Sequence, residues 1–382
     1  MTRATSRATS ALTLALAFAP SLGAQAVIGP SAEFGPAAER LAGMIAREVA
    51  DKRLPALSIA LVDDQKIVWA RGFGYARPQD GVPATAATVY RVGSVSKLFT
   101  DIALMQLVAR GAVDLDAPIT RYLPDFAPRN PFSKAVTLRQ LMTHRAGLVR
   151  EPPIGSYVDS TAPPLGATIA SLNRTTLVYE PETRTKYSNA GVAAVGYVLE
   201  RLSGEPFARY VKRAVLDSLG LDDSGFEPTP QLERRLAAAF MWAPDGRRFP
   251  APTFELGIAP AGSLYTTVTD LGRFLAALFA GGRGSLGRIA TPETLREMWT
   301  PQLADRGAAT GFGLGFFVSR LDGRRRVGHD GAIYGFATTL AALPDDKLGV
   351  VVVTTLDAAN SVTERVADAA LRAMRAVRER KP

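Results

Sequence analysis

Apolar residues recur along this chain with two different periods, and the change from one to the other divides it into three parts. Residues 36–50 carry Leu41, Ile45 and Val49 on one face, a spacing that predicts an amphipathic helix. Leu57 to Val62 and Lys66 to Tyr75 read as two strands joined by Asp63-Asp64-Gln65, the pattern of a hairpin. From Ser94 to about residue 300 the period becomes helical. Leu98, Ile102 and Met105, with Leu104 and Val108, predict a helix over 98–110 that stops at Gly111, and further helices are expected at about 190–202, 206–218 and 271–279. Beyond Pro301 strands return at Gly311 to Ser319, Arg324 to His329, Ala337 to Leu343 and Leu348 to Thr355, with turns at Asp322-Gly323 and Pro344-Asp345-Asp346. The chain closes on an amphipathic helix over about 361–380, whose Val362, Val366, Ala370, Met374 and Val377 share a face. Strands early and late with helices between predict one sheet completed by both ends of the chain, and a helical region inserted into it.

Local signals refine this outline. Thr137 followed by Gln140 makes a capping box, with Gly147 as the expected stop and His144 in the last turn, where a cation would favour the helix dipole. Residues 148–166 are rich in proline and glycine and predict a long surface loop of the kind that shapes a cleft. The glycines of Gly311-Phe312-Gly313-Leu314-Gly315 sit inside a strand-like run and open no helix, which excludes a phosphate loop.

Composition narrows the function classes. The 382 residues, 47% apolar and 21% charged, fit an ordinary globular protein. The first 26 differ. Arg3 and Arg7 precede an apolar run from Ala11 to Ala19, then Pro20 and the small residues ending Ala24-Gln25-Ala26, the order of a secretory signal peptide. Residues 1–26 are therefore set aside as a leader cleaved near Ala26, and 27–382 are expected to be a periplasmic or secreted domain with no stable membrane insertion. There is no cysteine, so disulfides, thiolate metal sites and a cysteine nucleophile are excluded. His144 and His329 stand alone without ligand spacing, and no metal is expected. The net charge of +9 comes from arginines spread along the chain, dense only at Arg324-Arg325-Arg326 and near the C terminus, so a nucleic-acid partner is not expected. A small-molecule or peptide substrate fits better, and oligomeric state is left open.

Three short patterns carry candidate chemistry. In Gly93-Ser94-Val95-Ser96-Lys97 a hydroxyl and an amine lie three residues apart, on one face if a helix begins there. A serine hydroxyl is a weak nucleophile until a neighbouring base takes its proton, and an amine of lowered pKa can do so. Of the eight lysines only Lys97 has a serine three places before it; a serine cap with a solvated lysine is the structural alternative. Tyr187-Ser188-Asn189 would set a phenol and an amide on one side of an extended segment. His329-Asp330-Gly331 follows a strand, and its glycine would let a substrate backbone approach.

In that order the three patterns resemble those of the serine β-lactamase and penicillin-binding superfamily, in particular its class C, D,D-peptidase and esterase branch. The flanking stretches Leu141 to Leu148, Pro260 to Asp270 and Gly328 to Phe336 are similar to that family's signatures as well, so the resemblance covers nearly all of the mature chain. It implies an α+β fold: an α/β sandwich with an antiparallel sheet, about 27–93 and 305–382, plus an inserted all-helical part, about 94–304, with a cleft between them. It implies Ser94 as nucleophile, Lys97 as its cationic or basic partner, and Tyr187 as a general base that later protonates the leaving group. Asn189 would orient Lys97 and a substrate amide, the backbone N–H groups of Ser94 and Ala332 would form the oxyanion hole, and His329 would line the opposite wall, with no cofactor. Many β-lactamases have Lys-Thr-Gly where this chain has His329, Asp330 and Gly331; an imidazole and an anion there would receive a substrate carboxylate less well. The expectation is thus an exported esterase or peptidase-like amidase, with a class C-type β-lactamase or D,D-carboxypeptidase as the alternative activity. A non-catalytic penicillin-recognising-like binding module is the alternative of another class.

Overall fold

The computed structural model describes residues 27–302 and 308–380, so the expected leader lies outside the described residues. Helix α1 (Gly35–Asp51) leads into the hairpin β1 (Ala56–Asp63) and β2 (Lys66–Arg77), followed by the short β3 (Val82–Pro83). After the helical middle come β4 (Gly311–Phe312), β5 (Phe317–Leu321), β6 (Arg324–Ile333), β7 (Phe336–Leu343) and β8 (Leu348–Thr354), then a C-terminal helix over Asn360–Glu379. These eight strands form one antiparallel sheet in the order β3-β2-β1-β8-β7-β6-β5-β4, and two small two-stranded sheets lie apart from it. Its centre is the pairing of the two chain ends, with Leu57 opposite Thr354 and Leu61 opposite Val350. The sheet completed by both ends is thus as the periodicity predicts.

The central strands read as nearly continuous apolar runs because both faces are covered. Leu57, Ile59 and Leu61 join Leu41 and Ile45 of α1 and Val362, Val366 and Met374 of the C-terminal helix in one core. Their neighbours Ala60 and Val62 turn the other way, into a larger core with Leu271, Phe274 and Leu275. Those three belong to a helix over Val268–Phe279, so this late helix of the middle region lies on the sheet. The remaining middle helices that matter for the site are α2 (Ser96–Ala109), α3 (Leu138–Met142) and α4 (Asn189–Ser203), which share the same core through Leu98, Phe99, Leu141 and Val192. Numbered on, α5 is Val268–Phe279 and α6 is Asn360–Glu379.

Two elements differ from the periodic reading. The expected single strand over Gly311 to Ser319 is broken between β4 and β5, where Gly315 has φ +79° and a Cβ on Gly313 would lie 2.0 Å from the Met298 carbonyl oxygen. Helix α3 carries the predicted capping box but ends at Met142, before Gly147. His144 therefore lies beyond the helix, at φ +58°.

Candidate active site

Ser94 stands in a 3-10 turn, Gly93–Val95, that runs directly into α2. Gly93 has φ +53°, and a Cβ on it would lie 2.8 Å from the backbone nitrogen of Ala332, so the turn needs glycine for both backbone conformation and space. The first turn of α2 is pinned from both sides. Ser96 Oγ donates to the Gly93 carbonyl (2.6 Å) and accepts from Leu264 N–H (3.0 Å), and Thr100 Oγ1 donates to the Pro260 carbonyl (2.7 Å). Lys97 Nζ donates to Ser94 Oγ (3.0 Å) and to the Ala261 carbonyl (2.7 Å). The serine and the amine are thus brought together, and the stretch 260–264 is what holds the amine in place.

Lys97 is 1% exposed, and burial brings its pKa down to about 7; Glu151 and Asp101 push it back up, and Arg150 adds to the lowering. Near neutrality this amine is available as a base.

Tyr187 lies just before α4 with its ring 5.0 Å from Lys97 Nζ on centroid and 5.0 Å from the Arg150 guanidinium carbon. His144 packs on the same ring at 4.2 Å. The His144 carbonyl accepts from Lys186 N–H (2.7 Å) and its Nδ1 accepts from Ser188 N–H (3.2 Å), so the residues on either side of Tyr187 are both fixed by His144. An accepting Nδ1 leaves the ring proton on Nε2. Burial, reinforced by Lys97, His329 and Arg150, pushes the His144 pKa well below its usual value, so the expected cation on a helix dipole is instead a neutral ring that positions a loop. Burial raises the Tyr187 phenol, against a hydrogen bond from Ser94, and the phenol stays protonated at neutral pH.

Asn189 is the first residue of α4, capped by Ser188, whose Oγ accepts from Gly191 N–H (2.9 Å). Its Nδ2 donates to Glu151 Oε1 (2.6 Å), and among the described residues Lys97 is oriented by Ser94 and Ala261, not by Asn189. The reason is local: Asn189 has entered the helix, so the extended geometry expected for Tyr187 and Asn189 does not hold. Glu151 and Arg150 carried no signal in the sequence beyond their place in the loop after α3.

The third pattern lies on β6, where alternation separates its members. His329 and Gly331 turn towards the Ser94 turn; a Cβ on Gly331 would sit 2.0 Å from the Val92 carbonyl oxygen. That glycine therefore makes room for the protein's own backbone, not for a substrate's. Asp330 takes the opposite face. Its register partner Thr339 hydrogen-bonds Thr363 of α6 (2.9 Å), and the charge of Asp330 acts on Glu364 of the same helix. Strand parity thus directs the Asp330 side chain towards α6, while Asp330 also lines the cavity on which Ser94 opens, with Asp357 and Asn360. His329 Nδ1 lies 2.5 Å from the Asp330 carbonyl, which can only accept, so Nδ1 carries the proton. Burial, then Lys97, lowers its pKa to about 3, which leaves the ring neutral.

Ser94, Tyr187, His329 and the Gly331-Ala332 backbone open on a cavity of about 580 Å³. Tyr157, Phe312, Phe317 and Tyr334 give it an aromatic wall, and Arg150 is a cation at its rim. Tyr334 Oη donates to the Tyr157 carbonyl, which fastens the 148–166 loop to the end of β6. This arrangement can hold an apolar group beside a hydroxyl that has a base in contact with it.

Comparison with known proteins places the chain. Beta-lactamase-like 1 of Homo sapiens is 31% identical over 335 residues, 82% of this chain; the match spans 64% of the human protein, less than two thirds of its length. Esterase EstB of Burkholderia gladioli is 30% identical over 321 residues, 75% of this chain and 80% of that one. Among solved structures, the octameric penicillin-binding protein homologue from Pyrococcus abyssi superposes with a TM-score of 0.78 at 27% identity, covering 89% of this chain and 77% of that one. Residues 41–374 match the family described as Beta-lactamase, and the protein belongs to that family.

Proposed function

We propose that this protein is an exported serine hydrolase that cleaves uncharged, apolar esters or amides through an acyl-enzyme on Ser94. The observation that carries the reading is the buried Lys97 amine, of pKa about 7, in a 3.0 Å hydrogen bond with Ser94 Oγ at the floor of an aromatic cavity. In acylation the Ser94 proton passes to the Lys97 lone pair while Oγ bonds to the substrate carbonyl carbon and the carbonyl electron pair moves onto oxygen. The Ser94 and Ala332 peptide N–H groups receive that oxyanion; losing one such donor typically costs about 10²–10³ in rate. Tyr187, protonated at neutral pH, acts as donor to the departing oxygen or nitrogen, and Lys97 resupplies its proton. Water then repeats the sequence on the acyl group. This gives the basic role to Lys97 and the acidic role to Tyr187, where the sequence pattern implied a tyrosine base.

The substrate class follows from the walls. A neutral His329 occupies the position where a lysine would receive a carboxylate, the lining is largely aromatic, and the carboxylates of Asp330 and Asp357 among the lining residues would repel a substrate anion, so a neutral aryl or alkyl ester is favoured. The esterase named among the relatives is consistent with that choice. One feature favours a second reading as β-lactamase or carboxypeptidase: Arg150 at the rim is free to pair with a carboxylate if its bond to Glu151 (3.4 Å) yields.

The test is a fluorophosphonate probe followed by hydrolysis of p-nitrophenyl esters and a penicillin. One adduct on the peptide containing Ser94, lost in Ser94→Ala with thermal unfolding unchanged, and faster turnover of the ester than of the penicillin, are expected. Labelling that persists in Ser94→Ala rules out the nucleophile, and a folded protein with neither label nor turnover is a binding module.

A further inference from the structure

Asp101 lies one helical turn after Lys97 on α2 and plays no part in the reaction described above. It is fully buried, and neither of its carboxylate oxygens has a hydrogen-bond partner among the described residues. An ionised carboxylate so placed would be costly by itself, because nothing replaces the water it has lost. A neutral residue would have served the packing, yet the fold makes room for the acid. Gly315, at φ +79° in the break between β4 and β5, lies so close that a Cβ there would come within 2.5 Å of Asp101 Oδ2. Residues at i and i+4 of a helix share a face with Cβ atoms about 5–6 Å apart, which puts Asp101 on the face of α2 that carries Lys97.

We propose that Asp101 is a positioning residue that acts through Lys97: its carboxylate is the buried counter-ion for the ammonium that Lys97 becomes when it takes the Ser94 proton. The idea rests on Lys97 being the base of the proposed reaction. An amine that is only buried is a weak base, since the charge it must accept has no compensation. A carboxylate one turn away stabilises that charge without touching substrate, and the two groups titrate as a pair. Burial pushes the Asp101 carboxyl well above the usual carboxylate range against the pull of the Lys97 charge, so the carboxylate form is favoured only while Lys97 is an ammonium. The other titratable and charged groups around Lys97 are accounted for. Arg150 and Glu151 reach it from the loop after α3, His144 from the end of α3, Tyr187 from the segment before α4, and His329 from β6. Glu151 has the larger influence of the two carboxylates on Lys97 but also bonds Asn189 and pairs with Arg150, whereas neither oxygen of Asp101 has a hydrogen-bond partner among the described residues.

The experiment is the rate of Ser94 labelling by a fluorophosphonate as a function of pH, in wild type, Asp101→Asn and Asp101→Ser, with thermal unfolding of each. Losing an opposite charge at this range shifts a pKa by about one to three units. In Asp101→Asn, which keeps the shape, the midpoint of the rise with pH should therefore move down from near 7 by about one unit or more, with a plateau up to about tenfold lower because the base is weaker. Asp101→Ser, which changes the packing, should show the same displacement. A midpoint that stays in place in whichever variant folds overturns the proposal and leaves Asp101 a buried acid that fills space. A wild type in which Ser94 is not labelled at any pH refutes the hydrolase reading, and this inference falls with it.

Discussion

At the scale of the residue, the protonation states differ from what unperturbed side chains would have, and they assign roles. Lys97, with a pKa lowered to about 7, is a free amine above that pH, so kcat/KM for a neutral ester should climb through pH 7 and level off above it. The phenol of Tyr187 is raised and should add no ionisation on the acid side. Lys97→Ala should remove the rise and lower acylation by about 10²–10⁴, the range for loss of a positioned base. Tyr187→Phe should keep the midpoint near 7 and lower the rate, more for a poor leaving group than for p-nitrophenolate, which departs without a proton. A pH profile in which the step disappears in Tyr187→Phe and survives in Lys97→Ala would reverse the two roles. How far this was legible in the sequence depends on distance along the chain. Ser94 and Lys97 are neighbours on a helix and could be read from spacing; the hold of the Ala261 carbonyl on Lys97 joins residues 164 apart and could not. The direction of the Asp330 side chain was not legible, because a triplet says nothing about which side of a strand each member takes. Only the register with Thr339 puts it on the α6 face.

At the scale of the element, periodicity located helices and strands well wherever a face was buried against a partner. It failed where glycine lets backbones touch. The break between β4 and β5 and the closeness of β6 to the Ser94 turn both rest on missing Cβ atoms, which leave no hydrophobic pattern. Two glycines on or beside β6 allow a test of what this closeness does. Gly323 sits in the β5-β6 turn at φ +80° with open space around it, so Gly323→Ala meets only backbone strain, about 1 kcal/mol of stability. Gly331 has no such space, and an added methyl would push β6 away from Val92 and Ser94. Gly331→Ala should cost about 1–3 kcal/mol, as other overpacked sites do, and also displace the Ala332 N–H from the oxyanion position. Ester turnover should then stay near wild type in Gly323→Ala and fall by about 10²–10³ in Gly331→Ala, the loss typical of one oxyanion donor. Equal turnover in the two folded variants would mean that β6 does not supply that donor.

At the scale of the whole molecule, the sheet made from both chain ends carries the strand of His329, while the helical middle supplies Ser94, Lys97 and Tyr187, so the site exists only when the two regions are docked. That docking buries ionisable groups, and stability should register it as a dependence on pH. His329 is held neutral by burial, with a pKa of about 3 against an ordinary value of 6.5. Between those values the unfolded chain binds a proton that the folded protein does not, so stability is retained above about 6.5 and lost as pH falls towards 3. The loss from one group cannot exceed about 1.4 kcal/mol per pH unit. Raised carboxyls such as Asp101 and Asp270 act in the opposite sense, because the folded state holds their protons at higher pH. The contribution of His329 must therefore be read as a difference. Urea unfolding of wild type and His329→Asn between pH 7 and pH 4 should give curves that approach each other as pH falls, since asparagine has no proton to gain on unfolding. His144→Asn should show the same convergence, being buried and neutral for the same reason. A stability gap between His329→Asn and wild type that stays constant over that range would mean the imidazole titrates in the folded protein as it does in the unfolded chain, so that burial does not hold it neutral, and the neutral wall on which the preference for uncharged esters rests would be lost as pH falls.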